Sequence, residues 1–384
     1  MFDKSTELFP IKKKYIFLSH CGISPFFSQA CRKEQEIAEE HQNTGGLLFV
    51  KLYQDVLEGL RKACGELLKV ESDDIAFVKN TSEGISLIAA GYPFAPGDEV
   101  IGYTCEYPAN FYPWKLQEKR GAVFTLLSNA NSESELPTAW TMSDLEKKVT
   151  KQTRIVAVSH VQFTSGFATD LAQLGEFCRS RDIDLVVDAA QSLGSLPVYP
   201  EEYHISALAS SGWKWLMGPI GTGFLYTSKK FRDKLDQVMV GAEVMLQGVD
   251  YLDHTWNPHS TAKKFEYSTA PLSLAAALQT CIREISLRYG VQNIRNEIFK
   301  IQEVFLKQLD REKFSPLSYP ERNRSGIISI VCKRHDPAIA VKELLKENVV
   351  CTARGGYLRV APHFYNTEED LEKTADVLNK MNRG

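Results

Sequence analysis

The chain lacks three features that would each have set a direction. Its eight cysteines, at 21, 31, 64, 105, 178, 281, 332 and 351, include no C-x-x-C pair and no tight metal-ligand spacing. They read as ordinary reduced thiols of a cytoplasmic protein, with no metal site expected. No apolar run approaches membrane-spanning length, and no basic start leads into a long apolar stretch. Neither a membrane partner nor a signal peptide is therefore expected. Charge of one sign is also missing: 45 Lys and Arg stand against 48 Asp and Glu, a formal net charge of −3. That gives no basic excess with which to hold nucleic acid.

What is present suffices for a large domain and a smaller one: 384 residues, 43% hydrophobic and 24% charged. The chain is organised around LVVDAAQSLGSLPVYPEEYHISALASSGWKWLMGPIGTGFLY, residues 185–226. A short apolar run ends in Asp188, a second ends in Ser210 and Ser211, and Lys214 follows between two tryptophans. In a parallel α/β sheet, strand ends are where ligand groups converge. A carboxylate at one strand end can keep a pyridine nitrogen protonated, while an amine beyond another can form an imine with an aldehyde on the same ring. That is the chemistry of pyridoxal 5'-phosphate (PLP). Asp188 as a plain helix N-cap and Lys214 as a surface lysine are the competing readings.

These residues resemble the fold-type I PLP enzymes, and most closely the class V aminotransferase family. That family includes cysteine desulfurases, selenocysteine lyases, isopenicillin N epimerases and kynureninases. The likeness spans nearly the whole chain and is strongest at VDAAQ, SSGWKWLMGPIGTGFLY and GGYLRVAPHFYNTEEDLE. It implies an α/β fold: a large PLP-binding domain with a mainly parallel sheet flanked by helices, plus a smaller α+β domain. The expected division is residues 1–45 as an N-terminal segment near the active site, 46–270 as the large domain, and 271–384 as a linking helix and the small domain.

The site residues come segment by segment. The strand ending in SHCGISP places Ser19 and His20 on the substrate side by resemblance, with loop capping as an equal alternative. Residues 26–40 read as a helix, 41–46 as a mobile loop, and 47–68 as a second helix. Strand, small polar turn and helix at 74–85 form a phosphate cradle, with Thr81, Ser82 and Glu83 matching the family turn; a simple N-cap is the alternative. In EYPANFYPW, Tyr107 stands where relatives have a histidine, and can stack on the ring but not shuttle protons as an imidazole. In SHVQFTSG, direct alignment puts Phe163 where the family has an asparagine that touches the ring hydroxyl. Gln162 is near enough to stand in, and His160 reads as structural. Gln191 is a candidate for the ring hydroxyl or the imine region. Ser211 and Trp213 face the phosphate, with Trp213 replacing a family histidine and contributing a neutral N–H only. Thr269 matches a threonine that relatives offer to the neighbouring subunit's phosphate, which implies a homodimer; capping the next helix is the alternative.

In the tail, Arg359 matches the arginine that clamps the substrate carboxylate with its planar fork, and Arg354 a second arginine near the substrate, with a solvated or interface salt bridge as its alternative. The interval between them, GGYL, holds no cysteine, so a desulfurase using the usual persulfide loop is not expected. The resemblance implies an enzyme acting on an α-amino acid or a derivative by transamination or epimerisation. Lys214, Asp188 and Tyr107 are its catalytic residues and an amino acid its small-molecule partner. A C–S lyase without a catalytic cysteine, cysteine/cystine or selenocysteine lyase-like, is the alternative, and a non-catalytic homologue is the third reading.

Overall fold

Runs such as Ile155–Val158 and Leu185–Val187 carry apolar side chains on both faces, which suits strands covered by helices on both sides. The computed structural model describes residues 1–129 and 137–381. Its strands in chain order are β1 (Ile16–Phe17), β2 (Ile75–Val78), β3 (Glu99–Tyr103), β4 (Val123–Leu127), β5 (Thr153–Ser159), β6 (Asp184–Asp188), β7 (Ala207–Ser211), β8 (Gly223–Thr227), β9 (Phe314–Pro316), β10 (Ile328–Cys332), β11 (Val349–Val350), β12 (Thr352–Arg354) and β13 (Tyr357–Val360). A seven-stranded sheet has the order β2-β8-β7-β6-β5-β3-β4. Its pairs from β7 through β4 are parallel, and β8 runs antiparallel to both neighbours. This is the mainly parallel α/β sheet expected from the sequence.

A four-stranded antiparallel sheet, β12-β13-β10-β9, forms with the helices Pro337–Lys346 and Glu368–Lys380 the α+β part of the chain. The N-terminal strand β1 pairs parallel with β11, and Ser19 bridges to Ala361. The start of the chain is thereby fastened to its end. β11 pairs with β1 and β12 with β13, and buried Cys351 sits at the corner between them.

Local chemistry sets the helix ends. The last helix starts at a capping box in which Thr367 and Asp370 each take the other's backbone amide, as the sequence suggests. The helix of the 74–85 segment starts at Thr81, because Asn80 is the cap and its side chain accepts the Glu83 amide at 2.8 Å. The stretch 41–46 is not a loop. The helix Ser28–Thr44 runs through it, with the Thr44 hydroxyl bonded back to the Glu40 carbonyl at 2.8 Å, and only Gly45 at φ +56° breaks it before Gly46–Leu68. Gly84 brings the helix Thr81–Gly91 close to the sheet, since a Cβ there would lie 2.9 Å from the Ala209 Cβ. Among the described residues no helix is long and apolar enough to cross a membrane.

Candidate active site

The C-terminal ends of the parallel strands converge, as the general rule for open α/β sheets predicts. Asp188 closes β6 opposite Ser159 of β5 and Ala209 of β7. It is buried, and one carboxylate oxygen accepts the Ala190 amide at 2.9 Å. Burial raises its pKa, opposed by the charge of Lys214 and by the Ala190 bond. Lys214 lies just beyond β7 in a tight turn: the Met217 amide bonds the Lys214 carbonyl at 3.0 Å, and Gly218 bonds Gly212 at 2.8 Å. Met217 sits at φ +55° in the left-handed region, a strain of order 1 kcal/mol held in place by its full burial. The amine of Lys214 has its pKa lowered, first by burial; Asp188 opposes the shift and Arg359 adds to it. Its Nζ is 5.4 Å from the centre of the Tyr107 ring. Gly194, at φ +99°, lets the turn after Asp188 press on this loop, because a Cβ there would come within 2.4 Å of the Trp215 carbonyl.

At the other candidate end, the helix N-terminus at Thr81 lies over β7. Asn80 takes the Glu83 amide, and the Thr81 and Ser82 amides precede the first intrahelical bond. The hydroxyls of Thr81 and Ser211 are buried with no partner among the described residues. Ser82 is exposed. Glu83 faces away into structure: its carboxylate accepts the Lys79 amide at 2.6 Å and the Tyr267 hydroxyl at 3.0 Å. Trp213 is half-buried, and its carbonyl takes the Ser24 amide at 2.9 Å. Thr269 is exposed and does not cap the next helix; Pro271 stands at that position without a side-chain bond.

On the substrate side, Arg359 is buried and within electrostatic reach of Lys214. One Nη donates to the Phe163 carbonyl, the other to the Thr352 hydroxyl at 3.1 Å, and Nε is left without a partner among the described residues. Arg354 is exposed on β12, paired with Tyr357 across the hairpin. His20 is fully buried with both ring nitrogens engaged, by the Ala361 carbonyl at 2.8 Å and the Tyr365 hydroxyl at 2.9 Å. Ser19, also buried, bridges to Ala361. Gln191 is held at both ends: its amide donates to the Cys21 carbonyl at 2.8 Å and its oxygen accepts the Trp215 indole at 3.1 Å. Gln162 donates to Glu106 at 2.8 Å, while its own oxygen is buried with no partner among the described residues. Phe163 packs edge-on against Tyr107, with ring centres 5.3 Å apart. His160 is buried and structural through its backbone, donating to the Asp188 carbonyl, but its Nδ1 finds no partner among the described residues.

The sequence reading passed over Glu106. It lies inside the matching stretch beside Tyr107, yet two of its partners, Ser159 at the end of β5 and Gln162 just beyond it, are more than fifty residues away in the chain. A charged residue between a turn and an aromatic gives no local sign of burial.

Asp188 and Lys214 thus put a buried carboxylate and a lysine of lowered pKa beyond adjoining strands, with the Tyr107 face over the amine and two buried hydroxyls and a helix N-terminus in the same part of the fold. These residue types suit the aldehyde, the ring nitrogen and the phosphate of PLP. The chain belongs to the aminotransferase class-V family, whose model matches residues 24–373, and PLP is its cofactor. A protein described as a probable cysteine desulfurase from Methanothermobacter thermautotrophicus is 26% identical over 393 aligned positions, covering 97% of this chain and 96% of that protein. An uncharacterised aminotransferase of Bacillus subtilis, YcbU, is 24% identical over 378 positions, covering 97% and 96%. Among solved structures, the cystine C–S lyase C-DES in complex with cysteine persulfide superposes with a TM-score of 0.87 at 20% identity, covering 97% of this chain and 99% of that one. A lysine-to-alanine variant of C-DES, with glycine covalently linked to PLP, gives a TM-score of 0.90 at 19% identity, covering 98% and 100%.

Proposed function

We propose that this protein is a PLP-dependent enzyme acting on an α-amino acid or a derivative, by transamination or epimerisation, with Lys214 as the residue that captures the cofactor. The observation that carries the reading is the pairing of a Lys214 amine with lowered pKa and a buried Asp188 carboxylate at adjoining strand ends. When bound, the cofactor supplies a conjugated ring that takes up the electron pair left at the substrate Cα. Asp188 keeps a proton on the ring nitrogen. Thr81, Ser211 and the helix start at residue 81 take the phosphate. Tyr107 covers the ring face, and Arg359, whose Nε has no partner among the described residues, orients the substrate carboxylate. Lys214, once released, moves the proton at Cα.

A homodimer belongs to the same proposal. Thr269 is exposed, and the segment before it shows Val249, Tyr251, Leu252 and Trp256 to solvent. A cytoplasmic location rests on cysteines that are free thiols among the described residues.

The second reading is a C–S lyase. Relatives named as probable cysteine desulfurases support sulfur chemistry, at 26% and 29% identity. Between Arg354 and Arg359, however, the chain forms a hairpin with Gly355 and Gly356 at its tip and no thiol, and the buried Cys351 has its thiol pKa pushed up by burial. A reaction that eliminates the sulfur needs no acceptor cysteine in that hairpin. Presenting amino acids singly to the holoenzyme separates the readings. A keto acid with conversion of the cofactor to its amine form marks transamination, inversion at Cα marks epimerisation, and ammonia with a keto acid marks elimination. No change with any amino acid would overturn all three.

A further inference from the structure

A second buried carboxylate lies beside Asp188. Glu106 is 7% exposed and receives four donors: the Ser159 amide at 2.8 Å, the Ser159 hydroxyl, the Gln162 side-chain amide at 2.8 Å and the Asn110 side-chain amide at 3.3 Å. Asn110 is itself fixed by the Trp114 indole at 2.9 Å. Ser159 is the register partner of Asp188, and Tyr107, whose ring faces Lys214, is the next residue along the chain. Glu106 therefore ties the loop that presents the aromatic face to the strand beside the ring carboxylate.

On the functional reading above, we propose that Glu106 is a positioning residue of the cofactor site: it locks the Tyr107 loop to the end of β5, and it gives up a proton to solvent when a cationic ring is held against Asp188. The charged group acting on it is Asp188. His160, next to Ser159, is kept neutral because burial pulls its imidazole down to about 3. Asn110 and Trp114, from the segment after Tyr107, carry no charge, and neither does Gln162. Burial, with a smaller push from the like charge of Asp188, raises the Glu106 carboxyl to about 7 against the pull of its donors. A pyridinium against Asp188 cancels the like charge, so the complex binds fewer protons than the free protein. Affinity for the cofactor then rises with pH up to about pH 7 and levels off above.

The test is a PLP titration of the protein resolved of its cofactor, at about pH 6 and about pH 8, for native protein and Glu106→Gln, followed by visible absorbance. Native protein is expected to gain several-fold more affinity than the variant across that interval, and the variant to bind about tenfold more weakly at the higher pH. Parallel pH profiles with only a lower Tm would make Glu106 merely structural and overturn the proposal. If Glu106→Gln does not fold, Ser159→Ala removes one donor and should move the pH midpoint of affinity upward; an unmoved midpoint overturns the proposal equally. Borohydride reduction of the native protein, with mass analysis at Lys214, separates the two levels. An unmodified Lys214 sinks the functional reading itself, whereas a modified Lys214 with parallel profiles sinks this inference alone.

Discussion

The Nζ of Lys214 stands 5.4 Å from the centre of the Tyr107 ring, and that ring is steadied edge-on by Phe163. The face of Tyr107 is turned toward the amine rather than into the core, and the residue is 46% exposed. An aromatic packed only for stability would be covered.

If the ring face matters and the hydroxyl does not, Tyr107→Phe keeps cofactor affinity while Tyr107→Ala weakens it. Aromatic stacking is worth about 0.5–1.5 kcal/mol, so the loss is between about twofold and tenfold. An absorbance titration measures it. Equal losses in the two variants would contradict stacking.

The orphaned hydroxyls make a prediction with two opposite signs. Thr81 and Ser211 each bury a hydroxyl without a partner among the described residues, and a hydroxyl buried without a partner costs about 1–3 kcal/mol. Thr81→Ala and Ser211→Ala should therefore leave the cofactor-free protein as stable as native or more so, by thermal melting. Both should bind PLP about tenfold more weakly, the effect of about 1.4 kcal/mol. Variants that melt lower and bind normally would show the hydroxyls to be structural.

Glu106 also sets a pH dependence for the cofactor-free protein. Its carboxyl is raised from an ordinary value near 4.5 to about 7 in the folded chain. The stability it contributes is fully present below the unfolded value and is lost as pH rises through the folded one. Native protein should thus lose up to roughly 3 kcal/mol relative to Glu106→Gln between about pH 4 and pH 8, by denaturant titration at each pH. A flat difference between the two proteins would contradict the raised carboxyl.

What was legible in the sequence was what depends on neighbours along the chain. The run ending in Asp188 and the turn beyond Ser211 announce themselves by apolar residues and glycines. Asn80 as the cap of the phosphate-side helix was missed because Thr81 and Ser82 are equally good capping types, and which of the three takes up the Glu83 amide depends on where the strand before them ends. The helix through His41 and Thr44 was missed because its polar residues imitate a loop. Gln191, Arg359 and Glu106 each take a partner from a distant segment, so no local pattern could reveal that Gln191 bonds Cys21, that Arg359 holds the Phe163 carbonyl, or that Glu106 takes the Ser159 amide.

Every role assigned to the site depends on the Lys214 amine capturing the cofactor's aldehyde within reach of Asp188. Borohydride reduction of the holoenzyme followed by peptide mass analysis tests it most directly. The visible absorption band should be lost and the mass of reduced pyridoxyl phosphate should appear on the peptide containing Lys214, with none added in Lys214→Ala. A native protein that stays unmodified at Lys214, or that carries the label on another lysine, would contradict it.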